Sequence, residues 1–209
     1  MQRPVTRFGL GLTGEAVGMT RTKPANAATT DADTKPFLTD VTRLRAQARK
    51  QIDQGPVTAA YGADLPRVLS VLNDALATEL VCVLRYKAHY HGAKGLAAEP
   101  VAAEFLEHAN EEQVHADRLA ERINQLGGTP DLNPETFMAR SLTEYNTPDA
   151  LRDMITEDLV AERIVIQSYT ETIAWLGHGD PTTRRILEEI LAEEEEHADD
   201  MLTLLEREK

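Results

Sequence analysis

The chain has 209 residues and carries 22 Lys and Arg against 35 Asp and Glu, a formal charge of −13 at pH 7. That length suits one domain with a tail and allows a sizeable core, while the acidic balance excludes a generally basic nucleic-acid binder, since such a surface repels phosphate and attracts cations. The single cysteine, Cys82, excludes a disulfide framework, a four-cysteine zinc or rubredoxin-type site and a cysteine-ligated iron–sulfur cluster.

Residues 1–36 are rich in Gly, Thr, Ala and Pro without sustained periodicity, and are expected to be a flexible extension. No run approaches a membrane span of about 18–20 apolar residues. The N-terminus also lacks the apolar core of a secretory signal, so a soluble protein of the reducing cytoplasm, with no membrane partner, is expected. Residues 37–64 form a short polar helix and a linker: Thr39 or Asp40 can cap a helix running to about Asp53, and Gly55-Pro56 ends it. Residues 1–54 hold nine basic and five acidic residues, a net +4, which leaves −17 on the remainder. An acidic body thus carries a mildly basic arm.

From residue 65 to 209 the text is that of four long helices with apolar residues at three- and four-residue spacing. The first runs from about Leu65 to His91 and stops at Gly92; the second starts at Pro100 and ends at Gly127-Gly128. The third starts at Pro148 behind Thr147 and ends near Gly177. The fourth starts at Pro181 behind Asp180 and runs almost to Lys209. Short turns make two antiparallel hairpins of these helices, and the link from Gly127 to Thr147 is long enough to cross from one end of a bundle to the other. The fold class is therefore all-α, a four-helix bundle of two hairpins joined by one long crossover, with an N-terminal extension.

The hairpins repeat one another. ALATELVCVLRY places Glu79 seven residues before Tyr86, and DLVAERIVIQSY places Glu162 seven before Tyr169. EEQVHAD, with Glu112 and His115, is echoed by EEEEHAD, with Glu194 and His197. A pseudo-two-fold axis between the hairpins is expected.

On helical wheels at about 100° per residue, Glu79, Glu112, His115, Glu162, Glu194 and His197 all fall on otherwise apolar faces. An isolated buried carboxylate loses several kcal/mol of solvation or must take a proton, and four of them also repel one another. Two divalent cations would neutralise the four charges, and oxygen and imidazole donors suit iron or manganese better than a soft metal. The i, i+3 spacing of each Glu-x-x-His lets both side chains reach one centre. A Glu from each of two helices and a Glu-x-x-His from each of the other two is the pattern of dinuclear carboxylate bundles.

With TEL around Glu79, NEEQVHADR around His115, DLVAE ending at Glu162 and EEEEHAD around His197, the chain from about Leu65 onward resembles the bacterioferritin and Dps-like members of the ferritin-like superfamily. The resemblance implies that Glu112 and Glu194 bridge two iron ions, that Glu79 and Glu162 are terminal ligands, and that His115 and His197 each bind one metal. It also matches Tyr86 to a tyrosine beside the site, an electron donor or hydrogen-bond partner. Bacterioferritins bind haem through a Met directly after the second-helix ligand Glu; Gln113 stands there, which argues against haem. Only twelve residues follow His197, leaving no room for a short fifth helix, so a 12-subunit shell or a dimer is expected over a 24-mer.

The function implied is that of an iron-storage ferroxidase oxidising Fe(II) with O2 or H2O2. The alternatives are a di-manganese or di-iron peroxidase or catalase, and a DNA-protecting helical scaffold; a rubrerythrin-type peroxidase would need four cysteines. The basic arm could touch DNA, though +4 is weak against a body of −17. Core packing explains Tyr86 and Tyr169 as well as redox work does, and Cys82 reads as a small buried apolar side chain. His108 and Glu111 could line an iron path, against the plainer reading of an ordinary helix surface. Asp158 could orient a ligand histidine, and His89, His91 and His178, near helix ends, are expected in solvent.

Overall fold

A computed structural model describes residues 39–95 and 98–207, in which there are helices, turns and coil but no strand. The extension expected over residues 1–36 lies outside the described residues; Val41–Lys209 form one unit. The polar helix is α1 (Val41–Lys50), which buries no residue, and a 3-10 turn follows at Ile52–Gln54. The bundle helices are α2 (Leu65–Gly92), α3 (Ala98–Gln125), α5 (Leu151–Leu176) and α6 (Pro181–Arg207); α4 (Phe137–Arg140) is a single turn within the crossover.

Local chemistry sets the helix ends. Asp64 accepts a bond from the Arg67 N–H at 3.3 Å to cap α2, with Pro66 in the first turn. Asp180 caps α6 through the Thr183 N–H at 2.9 Å and is held in turn by Arg122 and Tyr61, each at 2.9 Å. α3 begins two residues before Pro100, which first-turn geometry tolerates because those N–H groups have no helical partner. At the other end of α3, Gly127 takes φ 80° and the Gly128 N–H reaches back to Ile123 O at 2.9 Å. A Cβ on Gly128 would stand 2.6 Å from a Leu69 methyl, so a larger residue here would have to displace that side chain of α2.

α5 starts at Leu151 rather than at Pro148. The chain is still extended at Ala150 (φ −85°, ψ 132°), and no side chain caps the helix. The cause lies just upstream, where Arg85 and His89 of α2 hold the carbonyls of Glu144 and Asn146. The chain can turn into helix only once it has passed them.

The crossover is pinned along α2 in sequence. Asn73 Oδ1 accepts from the Asp131 N–H at 2.7 Å, and Arg140 donates to Asn73 O at 2.6 Å. Thr78 accepts from the Leu142 N–H, and Arg85 and His89 follow as above. From Asn73 to His89 the helix rises about 24 Å at 1.5 Å per residue, so the link does carry the chain the length of the bundle. α2 packs along α3 and α5 along α6, giving the expected hairpins.

The core is split into two apolar layers. One, including Leu72, Leu76, Leu119, Ile123, Leu187 and Ile190, fills one end of the bundle; the other, including Phe105, Ala109, Met154, Ile155 and Met201, fills the other. The polar residues of the centre sit between them.

Candidate metal centre

All six side chains singled out by the sequence converge in that gap, one Glu from α2, one from α5 and a Glu-x-x-His from each of α3 and α6. Five are buried completely or nearly so, and His197 is 3% exposed. Ligand atoms of Glu79, Glu112, His115 and Glu194 lie within 4.8 Å of one another, as do those of Glu112, Glu162, Glu194 and His197. The two groups share Glu112 and Glu194. His115 Nδ1 stands 3.0 Å from Glu194, 3.4 Å from Glu112 and 3.7 Å from Glu79; His197 Nδ1 stands 3.5 Å from Glu194 and 3.8 Å from Glu112.

These contacts are close enough for ion pairs but lack hydrogen-bond alignment. Among the described residues, eight buried side-chain nitrogen or oxygen atoms have no hydrogen-bond partner, and every one belongs to these six residues. Orphaned buried polar atoms are costly and rare, and here they are confined to one point. Their electrostatics agree. Burial pushes the Glu112 carboxyl well above its ordinary pKa, with Glu194 and Glu79 adding to it, and burial beside Glu194 does the same to Glu162. At Glu194 burial is outweighed by His115 and His197, which hold its carboxyl below the usual range. At His115, against burial, the contacts with Glu194 and Glu79 raise the imidazole to about 11, and His197 is raised in the same way. Without a cation, protons take its place.

Comparison with known proteins accords with this geometry. The family profile of the ferritin-like domain matches residues 69–209. The chain belongs to that family. The bacterioferritin of Brucella melitensis is 30% identical over 142 residues, which is 68% of this chain and 84% of that protein. Among solved structures, the bacterioferritin-related dodecameric thioferritin of Bacteroides fragilis has a TM-score of 0.66 at 33% identity, over 70% of this chain and 90% of its own. The bacterioferritin of Desulfovibrio desulfuricans, described with a diiron site, has a TM-score of 0.61 at 26% identity, over 68% and 80%.

Around the centre of this ferritin-like bundle, neighbouring carboxylates and tyrosines hold the six in place. Glu193 Oε2 binds His115 Nε2 at 2.8 Å, and Glu111 Oε2 binds His197 Nε2 at 2.9 Å. Each carboxylate precedes the buried Glu of its own helix and reaches the histidine of the other, which leaves both Nδ1 atoms facing inward. The doubled Glu in EEQVH and EEEEH was the signal. Tyr86 donates to Glu162 Oε1 at 2.5 Å and Tyr169 donates to Glu79 Oε1, so both tyrosines touch the centre and are also core.

Three expectations need correcting. Asp158 orients a histidine, but neither of the pair at the centre. It accepts from Arg85 Nε at 2.9 Å and lies 2.8 Å from His89 Nδ1. His89, expected in solvent, is therefore fully buried, because its other nitrogen meets the Asn146 carbonyl of the crossover. His91 and His178 are exposed. His108 is not on an open surface either: it is 2% exposed and stacks on His197 with ring centroids 4.1 Å apart. Cys82 is buried against Arg85 and Thr143, and burial pushes its thiol up.

Proposed function

We propose that this protein binds two iron ions per chain between the hairpins and oxidises Fe(II) to Fe(III) for storage. The observation that carries the reading is the set of eight unpartnered buried atoms on four carboxylates and two imidazoles. Glu112 and Glu194 lie in both groups and would bridge. Glu79 with His115, and Glu162 with His197, would complete the two positions. Oxygen and imidazole donors suit iron. Two Fe(II) together release two electrons, which with two protons reduce O2 to peroxide, or peroxide to water.

The chain's own residues arrange this chemistry. Tyr86 and Tyr169 fix one oxygen of Glu162 and of Glu79 and leave the other unpartnered at the centre, where it would be free to bind a metal. Glu193 and Glu111 fix the imidazole rings. The apolar layers on either side exclude bulk water. Gln113 donates to Asp117 at 3.0 Å, and an amide at that position offers haem no axial sulfur.

Manganese fits the same donors, so a peroxide-disproportionating enzyme is the second reading; metal analysis of protein grown with both metals, together with an oxygen-evolution assay, separates the two. The dodecameric relative supports a 12-subunit shell, for which light scattering on the purified protein is the measurement. DNA contact would depend on the basic arm, and a gel-shift assay at varied salt addresses it. No described helix is long and apolar enough to cross a membrane, and a cytoplasmic setting fits the iron reading.

Stopped-flow mixing of the metal-free protein with Fe(II) and O2 is expected to give a rapid ferric absorbance. Glu112→Ala and His197→Ala proteins that oxidise iron as fast as the parent would refute the reading.

A further inference from the structure

Beside the dinuclear centre, between α3 and α6, lies a cavity of about 120 Å³ lined by residues that include Glu104, His108, Glu111, Glu193, His197 and Asp200. We propose that Glu104, His108 and Asp200 form a third cation site in this cavity, for a first-row divalent metal on its way to the centre. That role in transit rests on the iron reading above; the site itself does not.

An acidic cavity alone would say little, since exposed carboxylates are common without a metal. The decisive residue is His108, which is 2% exposed yet presents Nε2 to the carboxylates lining the cavity. Its ring is fixed by stacking on His197, 4.1 Å between centroids at 23°, and by edge contact with Tyr86. Nδ1 lies 3.3 Å from Tyr86 Oη. The phenol has one proton and gives it to Glu162 at 2.5 Å. His108 Nδ1 is thus engaged with Tyr86 inside the protein. Nε2 is then the ring nitrogen left facing the cavity, and no hydrogen-bond partner meets it there.

Nε2 faces two carboxylates. Glu104 Oε1 is 3.6 Å away and Asp200 Oδ2 is 3.7 Å, too far for hydrogen bonds. A cation lying between them would be bound by all three side chains. Two donors each about 2.1 Å from one metal, at an angle of about 110–120°, stand roughly 3.4–3.6 Å apart, close to the spacing seen. The three ligand atoms fall within 4.8 Å of one another. Imidazole plus two carboxylates is a donor set for iron, manganese, cobalt or zinc rather than for calcium. Because the ring stacks on His197, a metal held here is one side chain from the dinuclear centre, and the half-exposed Glu104 and Asp200 give it an approach from solvent.

The test uses Co(II), which does not undergo the oxidation, with the full chain stripped of metal. Crystals soaked in Co(II) and measured at the cobalt edge are expected to show three anomalous peaks per chain, one of them within bonding distance of His108 Nε2. Equilibrium dialysis should give three equivalents. A Glu104→Gln/Asp200→Asn double variant, altered only at the cavity rim, should lose one equivalent and that one peak. Glu112→Gln should lose the central pair and keep the peak at His108. Two peaks in the parent, both central, would overturn the third site, with His108 then an imidazolium paired to its neighbours, and would leave the dinuclear reading intact. A single peak, at His108, would instead remove the dinuclear reading.

Discussion

Tyr86 on α2 donates its proton to Glu162 on α5, and Tyr169 on α5 donates to Glu79 on α2. Each tyrosine follows a buried glutamate of its own helix by seven residues, about two turns, and serves the glutamate of the opposite hairpin. One oxygen of each carboxylate is thereby used, and the other, Oε2, is left without a partner at the centre. The same exchange is made by Glu111 and Glu193 to the two histidines. The repeat in sequence is thus a reciprocal strapping of one hairpin by the other.

Tyr86→Phe removes the proton that Glu162 Oε1 accepts and leaves a buried carboxyl oxygen unpaired. Such a loss costs about 1–3 kcal/mol. Urea unfolding of the metal-free variant should show a lower midpoint with an unchanged slope, and Tyr169→Phe should behave alike. Midpoints equal to the parent's for both would mean the tyrosines are packing alone.

Glu112→Gln should act in opposite directions with and without metal. Both Glu112 oxygens lack hydrogen bonds, and the carboxyl is pushed well up by burial and by Glu194 and Glu79. A neutral amide relieves that repulsion, so the metal-free protein should melt at an equal or higher temperature. It should also lose the stabilisation that a bound cation gives, which for the parent at 100 times Kd is about 2.7 kcal/mol. Thermal melts with and without Co(II) read both effects, and a variant that still gains as much from Co(II) as the parent would remove Glu112 from the ligand set.

Most of the bundle was legible because its determinants are periodic and local. Apolar spacing gave the four helices, Gly92, Gly127 and Gly177 marked three of their ends, and the repeated Glu-x-x-His, together with Glu79 and Glu162 of the other repeated motif, placed six side chains on apolar faces. What escaped was tertiary. Nothing local to Thr147-Pro148 reveals that Glu144 and Asn146 are bound to α2, so the start of α5 was set three residues early. His89 lies near a helix end, where solvent is the ordinary environment, but Asp158 sits 69 residues away and draws it inside. Glu111 and Glu193 sit among other acids on the polar side of their helices; the doubled Glu marks their positions, and the reciprocal geometry shows what they do.

Glu193→Gln and Glu111→Gln keep the ligand atoms but lose the negative charge behind each imidazole. Altering such outer partners commonly lowers metal affinity by about 10–100-fold. Because the two sit at equivalent places in the repeat, the variants should lose affinity at different metals of the pair. Titration with Co(II) followed by visible absorbance should show one weakened step in each. Two unchanged steps in both would mean that the rings are held by packing.

Asp158→Asn tests a buried pair that takes no part in the centre. Arg85 and Asp158 are 1% and 0% exposed, with Nε to Oδ1 at 2.9 Å, and the same carboxylate holds His89. Removing one charge strands the other, which costs about 3–5 kcal/mol. Since Arg85 and His89 also anchor the crossover at Glu144 and Asn146, hydrogen exchange should quicken over residues 142–150 first. Replacement of both Arg85 and Asp158 by apolar residues should recover much of the loss, whereas a double variant as unstable as the single would mean that the anchors, not the charges, matter.

Asp180 gives a prediction in pH. Burial alone would raise its pKa, but the bonds from Thr183 and Tyr61 and the charge of Arg122 outweigh it and hold the carboxyl below the ordinary range. The unfolded chain, with an aspartate near its usual value of about 3.9, takes up the proton before the folded one does. The stability lent by this cap is therefore complete above about pH 4 and is lost as pH falls through the lower folded value. Asp180→Asn should cost about 1–3 kcal/mol at pH 7, measured by urea unfolding, and the gap to the parent should narrow only below about pH 4. A gap that stayed constant down to pH 2 would mean that the carboxylate's charge contributes nothing beyond its shape.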